Sequence, residues 1–250
     1  MLAKQTSQVY LFGTCLIDVF FPKAGLDAIA LLEHAGVKVH FPQGQTCCGQ
    51  PAYTSGYPDE ARRVAWAQIA HFPGDWPIVV LSGSCAGIMK HHYPTLFALE
   101  PTRLTQVQQF SARVVELTDY LVNHLNLQLT DLGEPTTVTL HTSCTARREM
   151  GTLQTGRALL SRLQNVTLAV QGHESECCGF GGTFSIRHPE ISAAMVADKT
   201  QALLETGAAH LVSADCGCLM NINGSLANQG QPLQGEHIVS FVRQRCEADT

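Results

Sequence analysis

The chain has 250 residues, 45% apolar and 15% charged, with a formal net charge of −5. That length can bury a core without cross-links, as one large domain or two ordinary ones. A mildly acidic chain lacking a basic run argues against nucleic acid as a partner, and its longest apolar stretch, Val9 to Phe21, contains Asp18 and is too short to span a bilayer.

In chain order, Val9 to Phe12 reads as a short buried strand running into Gly13-Thr14-Cys15. A helix is expected from Leu26 to Ala35, closed by Gly36. Val37 to Phe41 alternates as a strand and leads to Cys47-Cys48-Gly49. Pro58 opens a helix to about His71, and Ile78 to Leu81 is a strand delivering Ser82-Gly83-Ser84-Cys85. Residues 94 to 133 read as helices joining two halves, with the boundary at Glu134-Pro135, giving domains 1–134 and 135–250.

The second half repeats the order. Thr137 to Leu140 is a strand reaching His141-Thr142-Ser143-Cys144, followed by a helix near Leu153 to Leu163 and a strand from Val166 to Val170. Cys177-Cys178-Gly179-Phe180-Gly181-Gly182 comes next, then a helix from Pro189 to about Leu204 and a strand, His210 to Val212, ending at Cys216-Gly217-Cys218. The tails also agree, since Val115 to Leu121 resembles Glu236 to Val242. Strand–helix alternation of this kind implies an α/β fold of two pseudo-repeated, Rossmann-like halves with parallel strands.

Cysteine carries the repeat. Thirty-one residues lie between Cys15 and Cys47, and thirty-two between Cys144 and Cys177. Each cysteine group follows a strand, and ligands in such sheets bind beyond the carboxyl ends of the strands. One strand–helix–strand traverse can therefore bring distant thiols to one rim. Lys4 ahead of the first apolar stretch gives it the look of a leader, but Cys15 is matched by Cys144, so the stretch is read as part of the fold and the protein as cytoplasmic. In that compartment ten cysteines point to metal or redox chemistry rather than a disulfide framework. Zinc sites usually bring CxxC pairs, and compact ferredoxin runs bring closely spaced cysteines; neither pattern is present. Several clustered thiolates still need a compensating cation, which an iron–sulfur cluster or zinc supplies.

Four strings carry a family likeness: PQGQTCCGQPAYTSGY at 42–57, SGSCAGIMK at 82–90, CCGFGGTFSIRHPEIS at 177–192 and SADCGCLMNINGSL at 213–226. The pattern resembles the cysteine-rich CCG domain of heterodisulfide reductase B subunits, glycolate oxidase iron–sulfur subunits and lactate utilization proteins, and within that group the lactate utilization protein A family. The resemblance implies iron–sulfur clusters of the 4Fe-4S type in a complex oxidising L-lactate to pyruvate with B and C type partner subunits. By the same resemblance the ligands are Cys15, Cys47, Cys48 and Cys85 at one site and Cys144, Cys177, Cys178 and Cys218 at the other, with Cys216 as an extra candidate. Heterodisulfide reductase-type motifs end in CxxC, whereas this chain has Ile88 and Asn221 at the corresponding positions, which favours four-thiolate clusters.

Gly49, Gly179, Gly181 and Gly182 are expected to shape turns and to let backbone N–H groups approach a cofactor. No Walker lysine or complete dinucleotide fingerprint accompanies them. His91-His92 is assigned to a solvated helix; His141 precedes Cys144 closely enough to line the second site, with a satisfied structural role the preferred reading; Arg147, Arg148 and Arg187 are candidates to offset thiolate charge or meet an anionic substrate, and Cys246 is read as a free thiol. Two rival functions stay open: a non-catalytic zinc or thiol-binding module, and a metal-free thiol–disulfide redox protein using Cys47-Cys48 or Cys177-Cys178. The substrate, a small 2-hydroxy acid, rests on the resemblance alone.

Overall fold

A computed structural model describes residues 7–246. The chain forms two compact units, residues 1–126 and 127–250. The first contains four parallel strands, β1 (Gln8–Phe12), β2 (Lys38–His40), β3 (Ile78–Val80) and β4 (Val114–Glu116), in the order β2-β1-β3-β4. The second contains β5 (Thr136–His141), β6 (Val166–Leu168), β7 (His210–Ser213) and β8 (Gly235–His237), in the order β6-β5-β7-β8. Tyr10 pairs with Ile78 and Phe12 with Val80 in one sheet; Val138 pairs with His210 and His141 with Ser213 in the other. The expected α/β class and the two similar halves are both present.

Parallel strands require crossovers, and the sequence punctuates them with proline. Helices begin at Pro22, Pro58, Pro101 and Pro189, where a missing N–H costs nothing because the first turn has no internal acceptor. The helix Pro22–His34 is followed by Gly36 at φ +78°, whose N–H donates to the Glu33 carbonyl at 2.9 Å. The helix Pro101–Arg113 runs directly into β4, so the segment expected to be helical throughout contains the fourth strand.

Both cores bury aliphatic side chains, and the first adds a series of rings. In the first unit Phe12, Phe72, Phe110 and Tyr93 are fully buried and meet ring to ring, with centroids 5.8–5.9 Å apart along the series. In the second, Val196, Leu203, Leu211, Ile222 and Leu226 form an aliphatic cluster that includes Cys178 and Cys218. Among the described residues no helix is long and apolar enough to cross a membrane.

In each sheet the chain passes from its first strand to one neighbour and then returns to the other side. The carboxyl ends of β1 and β3, and of β5 and β7, therefore flank a topological switch point, the usual ligand position in such sheets.

Candidate metal centres

At the first switch point Cys15 opens the helix Cys15–Phe20 just beyond β1. Thr14 caps that helix, accepting the Ile17 N–H through Oγ1 at 3.5 Å while its own φ is +59°. A β-branched residue held there costs about 1–3 kcal/mol, so the turn presenting Cys15 is strained. Cys47 and Cys48 follow β2, and Cys85 lies in the helix Gly83–Gly87 beyond β3. The Cys48 thiol donates to Cys85 Sγ at 3.2 Å, and Cys47 is hydrogen-bonded to both Cys15 and Cys48. The four sulfurs thus form a continuous chain, 15–47–48–85.

The second unit repeats the chain with Cys144, Cys177, Cys178 and Cys218. Cys144 opens the helix Cys144–Met150, whose cap Ser143 accepts the Ala146 N–H at 3.2 Å. Cys216 and Cys218 lie in the first turn of the helix Cys216–Asn228 beyond β7, both buried. Hydrogen bonds link Cys144 to Cys177, Cys177 to Cys178 and Cys178 to Cys218.

Equivalent side chains hold the two Cys-Cys loops. Gln45 Nε2 donates to the Leu11 carbonyl at 3.1 Å, and Gln171 Nε2 donates to the Leu140 carbonyl at 2.9 Å. Leu11 and Leu140 are the penultimate residues of β1 and β5. Gly49 and Gly179 adopt φ +82° and +80°, and each donates its N–H to the preceding cysteine's neighbour, Cys47 or Cys177, at 3.4 Å. Gly181 and Gly182 also hold positive φ, in the turn before the helix Phe184–Arg187.

The loop carbonyls are anchored too. Tyr93 Oη donates to Cys48 O, and Asn221 Nδ2 to Cys178 O, both at 2.8 Å. Asn221 therefore has a structural task where a CxxC motif would bring a thiol. Ile88 is 2% exposed and packs in the core.

The packed thiols ionise unequally. Hydrogen bonds from Cys15 and Cys48 lower the Cys47 pKa to about 3. Cys15 and Cys48 are driven up in turn, first by that bond with Cys47, with burial and neighbouring thiols adding to it. Cys144 is raised by its bond to Cys177 and by burial, against the opposing charge of Arg148. For Cys178 the bond with Cys177 lowers the pKa, but the bond with Cys218 and full burial outweigh it. Cys218 behaves likewise, burial and the Asp215 charge overcoming the help from Cys178. Four thiolates cannot share either pocket without a cation, and four sulfurs at one rim are a donor set suited to an iron–sulfur cluster or zinc.

The second unit differs in its polar surroundings. Lys199, fully buried, donates to Gln171 Oε1 at 3.0 Å and to the His173 carbonyl. Arg147 donates to the Glu174 carbonyl at 2.8 Å and to the Ser175 carbonyl. Both cations therefore staple the segment leading into Cys177, a role the sequence reading of Arg147 did not include. Arg187 is exposed. Tyr53 Oη lies 3.1 Å from His92 Nδ1, and His91 is exposed. Burial pushes the Cys246 thiol up.

His141 corrects an expectation. It ends β5, is fully buried, and neither ring nitrogen has a hydrogen-bond partner among the described residues. Burial, then the charges of Lys199 and Arg147, depress its pKa to about 3, so the ring is neutral. Donor atoms of His141, Cys178 and Cys218 all lie within 4.8 Å of one another. A histidine satisfied by the fold would have polar partners; this one has two thiols. No spacing motif marks it, and the only available signal was its place three residues before Cys144, where the first half carries Phe12.

Comparison with known proteins bears on both units. The cysteine-rich domain model CCG matches residues 9–90 and 138–223. The chain is 39% identical over 238 residues to lactate utilization protein A of Geobacillus thermodenitrificans, covering 95% of this chain and 99% of that protein. It is 40% identical over 235 residues to lactate utilization protein A of Halalkalibacterium halodurans, covering 94% and 96%. The Bacillus subtilis protein of the same name is 39% identical over 238 residues, covering 95% and 100%. A crystal structure of a hypothetical protein from Helicobacter pylori superposes with a TM-score of 0.71 at 10% identity, covering 99% of this chain and 51% of that one. That likeness concerns the fold, and the chain spans about half the length of the solved protein.

Proposed function

The chain belongs to the lactate utilization protein A family of proteins with CCG cysteine-rich domains, and from that premise we propose that it is an iron–sulfur electron-transfer subunit of a complex oxidising L-lactate to pyruvate. The observation that carries the reading is the pair of matched sulfur chains, each gathered at the carboxyl ends of parallel strands. Cys15, Cys47, Cys48 and Cys85 would hold one cluster, and Cys144, Cys177, Cys178 and Cys218 the other. Clusters of this kind take up and release electrons one at a time. The residues around them have two tasks: the glutamine clamps and the Gly49 and Gly179 N–H groups fix the sulfurs, and the buried surroundings of Cys48 and Cys178 keep water away. Gly181 and Gly182 would let the second loop approach its cluster closely. The name shared by the relatives supports lactate utilization as the setting; B and C type subunits as partners and the cytoplasm as the compartment are part of the same proposal.

The test uses the protein purified without oxygen together with its B and C type partners. Adding L-lactate should bleach the visible cluster absorption and produce an EPR signal from reduced centres; Cys48→Ser or Cys178→Ser should each remove part of that signal. An unchanged spectrum with wild-type protein, while the same centres accept electrons from dithionite, would count against lactate as the electron source.

One observation favours a second reading, a zinc-binding module: the grouping of His141 with Cys178 and Cys218 is a nitrogen–sulfur donor set of the kind zinc takes. Colourless protein with stoichiometric zinc would select it.

A further inference from the structure

We propose that His141 is a nitrogen ligand of the metal centre in the second unit, so that two sites with matching cysteines differ in chemistry. The inference rests on the iron–sulfur reading for the identity of the metal, and on the geometry of this chain for the ligand.

A buried polar group without a partner keeps its full desolvation penalty. The His141 ring is fully buried with both nitrogens unpartnered among the described residues, so the fold bears that cost without any protein group relieving it. What surrounds the ring is sulfur: Cys178 and Cys218 present Sγ within 4.8 Å of its donor nitrogen and of each other. Both of those thiols belong to the proposed ligand set. Packing does not demand an imidazole here. The first unit carries Phe12 at the matching place, three residues before its first cysteine, at the end of β1 and fully buried. A phenyl ring meets the same need for bulk with no polar atom to satisfy. A metal bonded to one ring nitrogen removes one of the two unsatisfied groups in the second unit; nothing comparable exists at Phe12.

Imidazole is neutral where thiolate is anionic, and a histidine standing in place of cysteine on an iron raises the potential of an iron–sulfur centre; His141 would act in this way where its nitrogen takes an iron from one of the four thiolates. The nearby cations Lys199 and Arg147 act in the same direction. With His141 as a ligand, the second centre would take up electrons before the first.

The experiment uses the full chain, purified without oxygen and grown with 15N-histidine, measured by electron–nuclear double resonance and potentiometric EPR titration. Wild-type protein should show one strongly coupled histidine nitrogen in the centre reduced at the higher potential. His141→Phe, which copies the first unit, should lose that coupling and leave the lower-potential centre untouched. His141→Cys, which keeps a donor should the phenyl ring prevent folding, should retain iron, lose the nitrogen coupling and move only the higher-potential wave downward. No strongly coupled histidine nitrogen in the wild type, or a coupling that survives in both variants, would overturn the proposal. Should the protein hold zinc instead of iron, the iron–sulfur reading falls separately. Zinc-edge absorption then decides the ligand: a Zn–N shell lost in His141→Cys upholds His141, and an all-sulfur shell overturns it.

Discussion

Gly49 and Gly179 occupy the same place in the two repeats, yet an added methyl group would meet different surroundings. At Gly49 the nearest atoms to a Cβ, the Ala61 carbonyl oxygen and Val64 Cγ1, lie at 3.4 Å, which is tight but tolerable. At Gly179 the Ser192 carbonyl oxygen lies at 2.7 Å and Met195 Cβ at 3.1 Å, so backbone must move. Both positions hold positive φ, a strain of about 1–2 kcal/mol for an L side chain. Gly49→Ala should lose about that amount in thermal or denaturant unfolding. Gly179→Ala should lose clearly more, since it adds a backbone clash at the loop carrying Cys178. Equal losses would show that the Ser192 contact yields without cost. At this scale the cysteines were legible because their spacing repeats. The roles of His141 and Asn221 were not, because they depend on which thiol or carbonyl the fold brings opposite them; the sequence marks Asn221 only as the residue where a CxxC motif would end and His141 only by its nearness to Cys144.

Elements were legible where a run of apolar residues or a proline marked them. The central strands β1, β3, β5 and β7, and the helices opened by Pro58 and Pro189, follow the expected segments closely. The outer strands β4 and β8 were harder. Each is three residues long, and β4 follows its helix without any turn residue, so no local signal separates them. Their likeness showed only as similar tails, and both are followed at once by a helix whose first turn is capped by the strand's last residue, Glu116 accepting from Thr118 N–H and His237 Nδ1 from Val239 N–H.

The chain that enters the second unit is fixed by a polar contact equally invisible to periodicity. Asp131, fully buried, accepts from Arg245 Nε at 2.9 Å, while Arg245 Nη2 also donates to the Glu134 carbonyl. Asp131 further accepts the N–H groups of Gly133 and Asn165. Removing one member of such a buried pair leaves the other charge uncompensated, a cost of about 3–5 kcal/mol. Asp131→Ala should lower stability by that order in denaturant unfolding. A loss below about 1 kcal/mol would mean that the pair contributes no more than an exposed one.

The whole molecule repeats one plan twice, with two different interiors. The first unit carries a series of buried rings among its aliphatic residues, while in the second an aliphatic cluster includes Cys178 and Cys218. Composition and charge argue against a nucleic-acid partner, and the cysteine repeat points to two proposed centres, but the unequal surroundings of those cysteines required the fold. Arg147 and Lys199 act through loop carbonyls 27 and 26 residues away in sequence, and only the folded chain brings them there. The same unequal setting underlies the expectation that the centres differ in potential.

The central claim is that each sulfur chain holds an iron–sulfur cluster. Iron and acid-labile sulfide per chain, measured on protein purified without oxygen, test it most directly. The account predicts about eight irons with matching sulfide, falling to about four in Cys48→Ser and in Cys178→Ser, as two four-iron clusters require. Folded wild-type protein carrying neither iron nor sulfide under those conditions would contradict it.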